Sequence, residues 1–367
     1  MSRLLALGLI AGSAVLYVSP LRAGDRALNL EQDAHGVKVT VDGKPFASYV
    51  IDQTNKAYLW PVYGPTGKAM TRSYPIEENA SEPPAQRDHP HHRGLAFGLS
   101  DAGGGAWKLP TEKGDPPTEE TLSNGGDTWG DRLSVEDLLK KPARVELGKR
   151  RMLSLGRLQH REFTRVEAAD NRVMIAEKCD YLDPAGTRFM QEERTLTFHL
   201  LGQARAIDID QTLIASDGDV RIGDQTDGGL YIRVPASMAV TSGLGGRIVN
   251  SAGDSDKDAW GKQATWCDYH GPVEGETLGI AILNHPSSYR APTRWHVRVY
   301  GLFCVDPFAQ HGFDPALPDA TTTIPRGQRL SLHHRFVFHI GDEQAAGIAR
   351  LYEDYARGKP LGETEAR

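Results

Sequence analysis

Apolar and polar residues alternate with the two-residue period of a half-buried strand along much of this chain. Val37, Val39 and Val41 are separated by polar residues, Asp42-Gly43 supplies a turn, and residues 46–51 read as a returning strand, so the chain opens on a hairpin. Strand-like runs recur at 166–181 and 190–200, with Asp183-Pro184-Ala185-Gly186 as the turn between them. Ile207, Ile209 and Leu213 continue the alternation, and further runs cover 279–283, 296–304 and 329–340. In the last of these, Leu330, Leu332, Phe336 and Phe338 share one face with His334. Ser331, His333, Arg335, Val337 and His339 share the other. One convincing helix is predicted over 342–356, capped by Asp342, with Ile348, Leu351, Tyr352 and Tyr355 on one face. Residues 102–132 break the pattern: they are rich in Gly, Pro, Asp and Glu, hold Trp107 and Trp129, and read as a loop insertion of the functional or disordered kind.

Composition supports an all-β reading. The chain has 367 residues, 39 glycines and 22 prolines, which suit turns better than helices. The length fits one large sandwich, predicted over 27–359 with a frayed tail at 360–367. A net charge of -6 offers no basic footprint, so no nucleic-acid partner is expected. Arg3 followed by an apolar run over 4–18 reads as an export signal cut after Ala23, which places the mature protein in the periplasm or outside the cell with no later membrane span. Cys179, Cys267 and Cys304 are an odd set without zinc-ribbon spacing and read as core residues, with one disulfide allowed.

The densest chemistry lies in Asp88-His89-Pro90-His91-His92-Arg93-Gly94. Pro90 disfavours helix at the residue before it, so His89 is predicted extended, with His89 and His91 on one face and His92 on the other. Such a pair could grip a divalent metal or a polar substrate, or could be solvated histidines at a strand end. A second patch contains Trp260, Trp266-Cys267-Asp268-Tyr269-His270, Asn284-His285-Pro286 and Trp295-His296-Val297-Arg298-Val299-Tyr300. Aromatic faces there suit sugar C–H surfaces, and the polar groups suit hydroxyls; equally, the tryptophans could fill a core. His296 and Arg298, two apart on an expected strand, would share a face. Glu192, Glu193, Asp224, Asp227 and Asp268 are candidate acids. Gly-x-Ser-x-Gly, Walker, HExxH and dinucleotide patterns are lacking, so no nucleotide cofactor is expected.

These stretches, together with Asp227-Gly228-Gly229-Leu230, Trp260-Gly261-Lys262, Tyr300-Gly301-Leu302-Phe303 and Pro307-Phe308, resemble a family of exported bacterial proteins known as PmoA-like, or "methane oxygenase PmoA". The resemblance implies a large β-supersandwich of the galactose-mutarotase type, a fold whose relatives bind and process carbohydrates. The oxygenase activity in the family's name is not expected, because that enzyme is an integral membrane protein. The reading is therefore an exported carbohydrate-active enzyme, a hydrolase, lyase or epimerase. Its catalytic groups would be His89, His91, His296 and Asp268, with His92, Arg93, His285, Arg298, Trp266, Tyr300 and Asp227 holding a sugar or sugar-derived molecule. A metal, if present, would sit on His89, His91 and His285. A non-catalytic sugar-binding protein and a metal-dependent oxidoreductase are the alternatives.

Overall fold

The computed structural model describes residues 27–169 and 171–358. The export segment lies outside these residues, as does the tail from 359 onward. Two large antiparallel sheets face each other. One has nine strands in the order Leu28–Asp33, Gly36–Val41, Lys44–Val50, Tyr58–Val62, Leu95–Leu99, Gly228–Arg233, Leu302–Asp306, Thr293–Val297 and Gln263–Ala264. The other has eight: Arg247–Asn250, Trp266–Val273, Glu276–Asn284, Arg329–Ile340, Ala204–Ile214, Arg188–Leu201, Arg172–Leu182 and Arg157–Ala169. A small third sheet pairs Thr322–Ile324, Val220–Ile222, Ala102–Gly103 and Gly125–Gly126. This is the expected large β-supersandwich.

Alternation decides what goes inside. Leu95, Phe97, Leu230, Ile232, Phe303 and Val305 face inward from the first sheet, and Ile175, Phe198, Ile207, Ile209, Phe336 and Phe338 from the second. Phe46 joins the two layers, with its ring 5.4 Å from Phe198 and 6.4 Å from Phe338, both edge to face. His334 is on the inner face, as its register demands, and it faces Asn284 Nδ2 at 3.2 Å. All three cysteines are buried and free.

Several expected elements are divided or shifted. The run 166–181 crosses a hairpin that turns at Asn171, where φ is 58°. The run 296–304 is likewise two strands: Arg298 N donates to Leu302 O and Gly301 N to Arg298 O, closing a turn after Val297. The C-terminal helix α4 spans Ile348–Arg357 and starts later than expected, because Asp342 caps a separate turn through Ala345 N. Sequence reasoning missed three helices: α1 (Glu119–Leu122) inside the insertion, and α2 (Arg132–Leu139) and α3 (Val145–Ser154), which follow it. Asp131 and Ser134 form a reciprocal capping box that starts α2. Pro142 interrupts the helical period between α2 and α3 and hides the pair from a periodicity search.

Candidate functional site

Residues left facing outward from the nine-stranded sheet build a polar and aromatic platform. Tyr58, Ala96, Tyr231 and Cys304 form its apolar floor, covered by Trp129. Gly98 permits this cover: a Cβ there would lie 2.8 Å from Thr128 O and 2.9 Å from Trp129 Cα. Lys56, almost wholly buried, donates to Thr128 O at 2.9 Å and Trp129 O at 2.7 Å, and so fixes the segment that presents the indole.

The histidine segment sits on this platform as a turn, which overturns the extended reading. His89 has φ 45°, in the left-handed region, and His92 N donates to His89 O. His89 and His91 therefore do not share a strand face. The turn instead gathers the three rings: His89 stacks on His92 with centroids 5.1 Å apart, and His91 lies 4.1 Å from His92. Its conformation is held from beneath. The buried Arg72 guanidinium donates to the carbonyls of Gln86, Asp88 and His89 at 2.7, 2.8 and 3.1 Å and to Asp88 Oδ1 at 3.0 Å. Arg233 reaches the same carboxylate oxygen at 2.6 Å, and Tyr231 Oη donates to His91 O at 2.8 Å. This fork geometry, which a lysine lacks, overrides the backbone preference at His89.

A cleft of about 370 Å³ opens beside the turn. His89 and His91 line one side, Ser100, Asp127 and Trp129 the base, α2, α3 and their linker the far wall, and Asp227 the rim. His91 Nδ1, Ser100 Oγ and Trp129 Nε1 are buried without a hydrogen-bond partner among the described residues. Native structures rarely leave such atoms unpaired unless another molecule pairs them.

The charges in the cleft are set apart from one another. Burial raises Asp127 to about 6, against the pull of Arg151 at 3.3 Å, the Gly130 N–H and Lys56. Burial lowers Lys56 to about 8. Burial, reinforced by Lys56, His89 and the two buried arginines, holds His91 well below the usual histidine range and therefore neutral. Burial works against Asp88 ionising, yet the His89 hydrogen bond and the Arg233 and Arg72 charges bring it down to about 2. Asp88 Oδ2 lies 2.8 Å from His89 Nδ1. An ionised carboxylate there can only accept, so Nδ1 carries the proton and Nε2 is the basic atom of the ring.

The other expected residues divide between the two sheets. His296, Arg298, Tyr300 and Asp227 reach the neighbourhood of the turn. Tyr300 stacks on His89 at 5.2 Å, His296 Nδ1 donates to Thr226 O, and Arg298 lies 5.4 Å from the Trp260 ring centre and 5.6 Å from that of Tyr300. Arg298 does so from the turn after Val297, not from a strand face shared with His296. Two neighbours have other work: His92 is buried between His89, Trp129 and Tyr231, and Arg93 is tied to Asp131 at 3.2 Å. His285, Asp268 and Trp266 do not converge here, because their strands belong to the eight-stranded sheet. His285 Nε2 donates to Gly358 O at 2.9 Å, Asp268 binds His270 and His339, and Trp266 packs under α4. The metal trio His89, His91 and His285 is thus divided between two faces. Metal-type donor atoms gather elsewhere, at Asp268, His270 and Glu343.

Asp127, Ser100, Lys56, Arg72 and Arg233 were missed. Only Asp127 had a signal: it precedes Trp129 in the long loop read as functional or disordered.

The profile of a family of unknown function (DUF6807) matches residues 36–353. No curated protein sequence matches the chain. Solved structures similar to it include a putative aldose 1-epimerase from Klebsiella pneumoniae, with 10% identity, 92% of this chain and 89% of that one covered, and a TM-score of 0.40. A galactose 1-epimerase from Lactobacillus acidophilus aligns at 8% identity over 86% of this chain and 99% of its own, with a TM-score of 0.38. An alpha-galactosidase from Lactobacillus brevis aligns at 9% identity over 87% of this chain and 40% of its own, with a TM-score of 0.37.

Proposed function

The chain belongs to the DUF6807 family, and we propose that its cleft binds a sugar-derived, polyhydroxylated small molecule and moves protons on it. The observation that carries this reading is the set of buried, unpartnered atoms around Asp127: His91 Nδ1, Ser100 Oγ and Trp129 Nε1. Trp129 Nε1 can only donate, a hydroxyl does both, and neutral His91 presents one ring nitrogen as an acceptor. A run of sugar hydroxyls matches that mixture. The cleft volume of about 370 Å³ suits a small ligand.

Two groups are placed for acid–base work. His89, with Asp88 holding its Nδ1–H, offers Nε2 as a base. Asp127, near 6, can give or take a proton close to neutral pH. One group takes a C–H or O–H proton and the other gives one, to the sugar carbon or ring oxygen in an epimerase, or to the oxygen that departs as the C–O bond breaks and a C=C bond forms in a lyase. Asp227 at the rim provides the second carboxylate that glycoside hydrolysis would need.

The test is solvent-proton exchange. The protein is incubated in D2O with a panel of aldoses and uronates, and loss of substrate C–H signals is followed by NMR. Exchange or turnover that disappears in Asp127→Asn and in His89→Gln supports the reading. A sugar bound without exchange or turnover indicates a binding protein, and no binding to any of the panel overturns the assignment. The N-terminal apolar run carries a further proposal, that the protein works outside the cytoplasm from a mature end near Gly24. N-terminal sequencing of protein from the native envelope checks it; a chain beginning at Met1 or Ser2 refutes it.

A further inference from the structure

Asp268, excluded from the cleft, is the centre of a second cluster. It is fully buried on the outer face of the Trp266–Val273 strand. Its Oδ1 lies 2.7 Å from His270 Nδ1, and its Oδ2 lies 2.7 Å from His339 Nε2. His339 reaches it across the intervening Glu276–Asn284 strand, and it can do so because Gly279 stands beneath the ring: a Cβ there would be 2.1 Å from His339 Cε1. Glu343, in the turn after the Arg329–Ile340 strand, brings Oε2 to 3.6 Å from the same His270 Nδ1. The donor atoms of Asp268, His270 and Glu343 all lie within 4.8 Å of one another.

Two carboxylates therefore converge on one imidazole nitrogen, which has a single proton to give. Asp268 receives it, and Glu343 stands beyond hydrogen-bond range. A divalent cation in place of the His270 proton would answer both carboxylates.

We propose that Asp268, His270 and Glu343 form a site for a divalent transition metal of the zinc or manganese class, with His339 orienting Asp268 from behind. One nitrogen and two carboxylates suit these borderline ions, and a carboxylate held by an outer imidazole is a usual feature of metal sites. On binding, His270 Nδ1 releases its proton to solvent and turns its lone pair to the ion, while Asp268 Oδ1 and Glu343 fill two further positions. The Nδ1–Oδ1 gap then opens from 2.7 Å toward roughly 3.4 Å, as tetrahedral ligands about 2.1 Å from zinc require. Glu343 is partly exposed, which gives an ion a way in. Because Glu343 lies between the last strand and α4, the ion would fasten that connection to the sheet. The proposal is independent of the sugar reading.

The test uses untagged full-length protein, stripped with chelator and dialysed. Zn2+ and Mn2+ are titrated by calorimetry, and Co2+ is followed by its visible absorption. One ion per chain is expected, with affinity reduced about tenfold or more in Glu343→Gln and further in His270→Ala. Glu343→Gln alters a partly exposed side chain and should keep the wild-type circular dichroism. Added metal should raise the melting temperature of the wild type, and that of Glu343→Gln by less at the same concentration. No stoichiometric binding of these ions, or binding that both substitutions leave intact, would overturn the site.

Discussion

On the outer face of the nine-stranded sheet, His91 and His92 keep a buried Nδ1 without a partner among the described residues. On the outer face of the eight-stranded sheet, His270, His333 and His339 each hold an aspartate oxygen at 2.7 Å. The surroundings explain the difference. Burial first, and then the charges of Arg72 and Arg233, keep the rings of the first group neutral, whereas the second group pairs with buried carboxylates. On one face His91 keeps an unpaired nitrogen beside the cleft, and on the other each histidine is committed to an aspartate. Residue type does not separate the two roles; the pairing of each nitrogen does.

The most severe way to break this contrast is to remove the fork beneath the histidine turn. Arg72→Met leaves the carbonyls of Gln86, Asp88, His89 and His92 without this donor and removes one of the two arginines that hold Asp88. The expected cost is about 3–5 kcal/mol, measured as a loss of urea midpoint, with loss of ligand binding. Arg72→Lys should recover only part of it, since an ammonium cannot serve the same fan of acceptors.

Next in size is Asp127→Asn, expected to lower turnover by about a hundredfold or more. Its effect on stability has the opposite sign. The folded carboxyl titrates near 6 and the unfolded one near 3.8, so the folded state binds the proton more tightly. The stability this gives is complete at low pH and is lost as pH rises through that interval, about 3 kcal/mol in all. A plot of urea midpoint against pH should fall between these values for the wild type and lose that step in Asp127→Asn.

The smallest effects test the contrast directly. His91→Ala should weaken ligand binding while barely moving the melting temperature, because no protein atom loses a partner at Nδ1. His339→Ala should leave the cleft untouched and cost about 1–3 kcal/mol, because it strips Asp268 Oδ2 inside the protein. Equal stability losses in the two variants would remove the distinction.

What could be read from sequence was what local period determines. The final strand was legible to the residue, including His334 inside and His333, Arg335 and His339 outside, because side-chain direction in a strand follows from position alone. Convergence is a matter of strand order, which sequence spacing does not encode. His285 and His296 are eleven positions apart in the chain, yet they point from different sheets because the chain changes layer between them. His89 was misjudged because a proline rule for the preceding residue excludes right-handed helix but leaves the left-handed region open to a residue held by tertiary contacts. Arg72 and Lys56 gave no signal, since a cation in a strand-rich stretch ordinarily faces water.

The salt bridge between Asp127 and Arg151 crosses the cleft, from its base to helix α3 of the wall. Arg151 opposes the burial that raises the Asp127 carboxyl, so the strength of the acid depends on where the wall stands. A wall drawn inward strengthens it, and a wall drawn outward weakens it. Mutations along the outer side of α3, remote from any substrate atom, would then shift the pH profile of catalysis as a tuning screw shifts a string, leaving the reacting groups themselves unchanged.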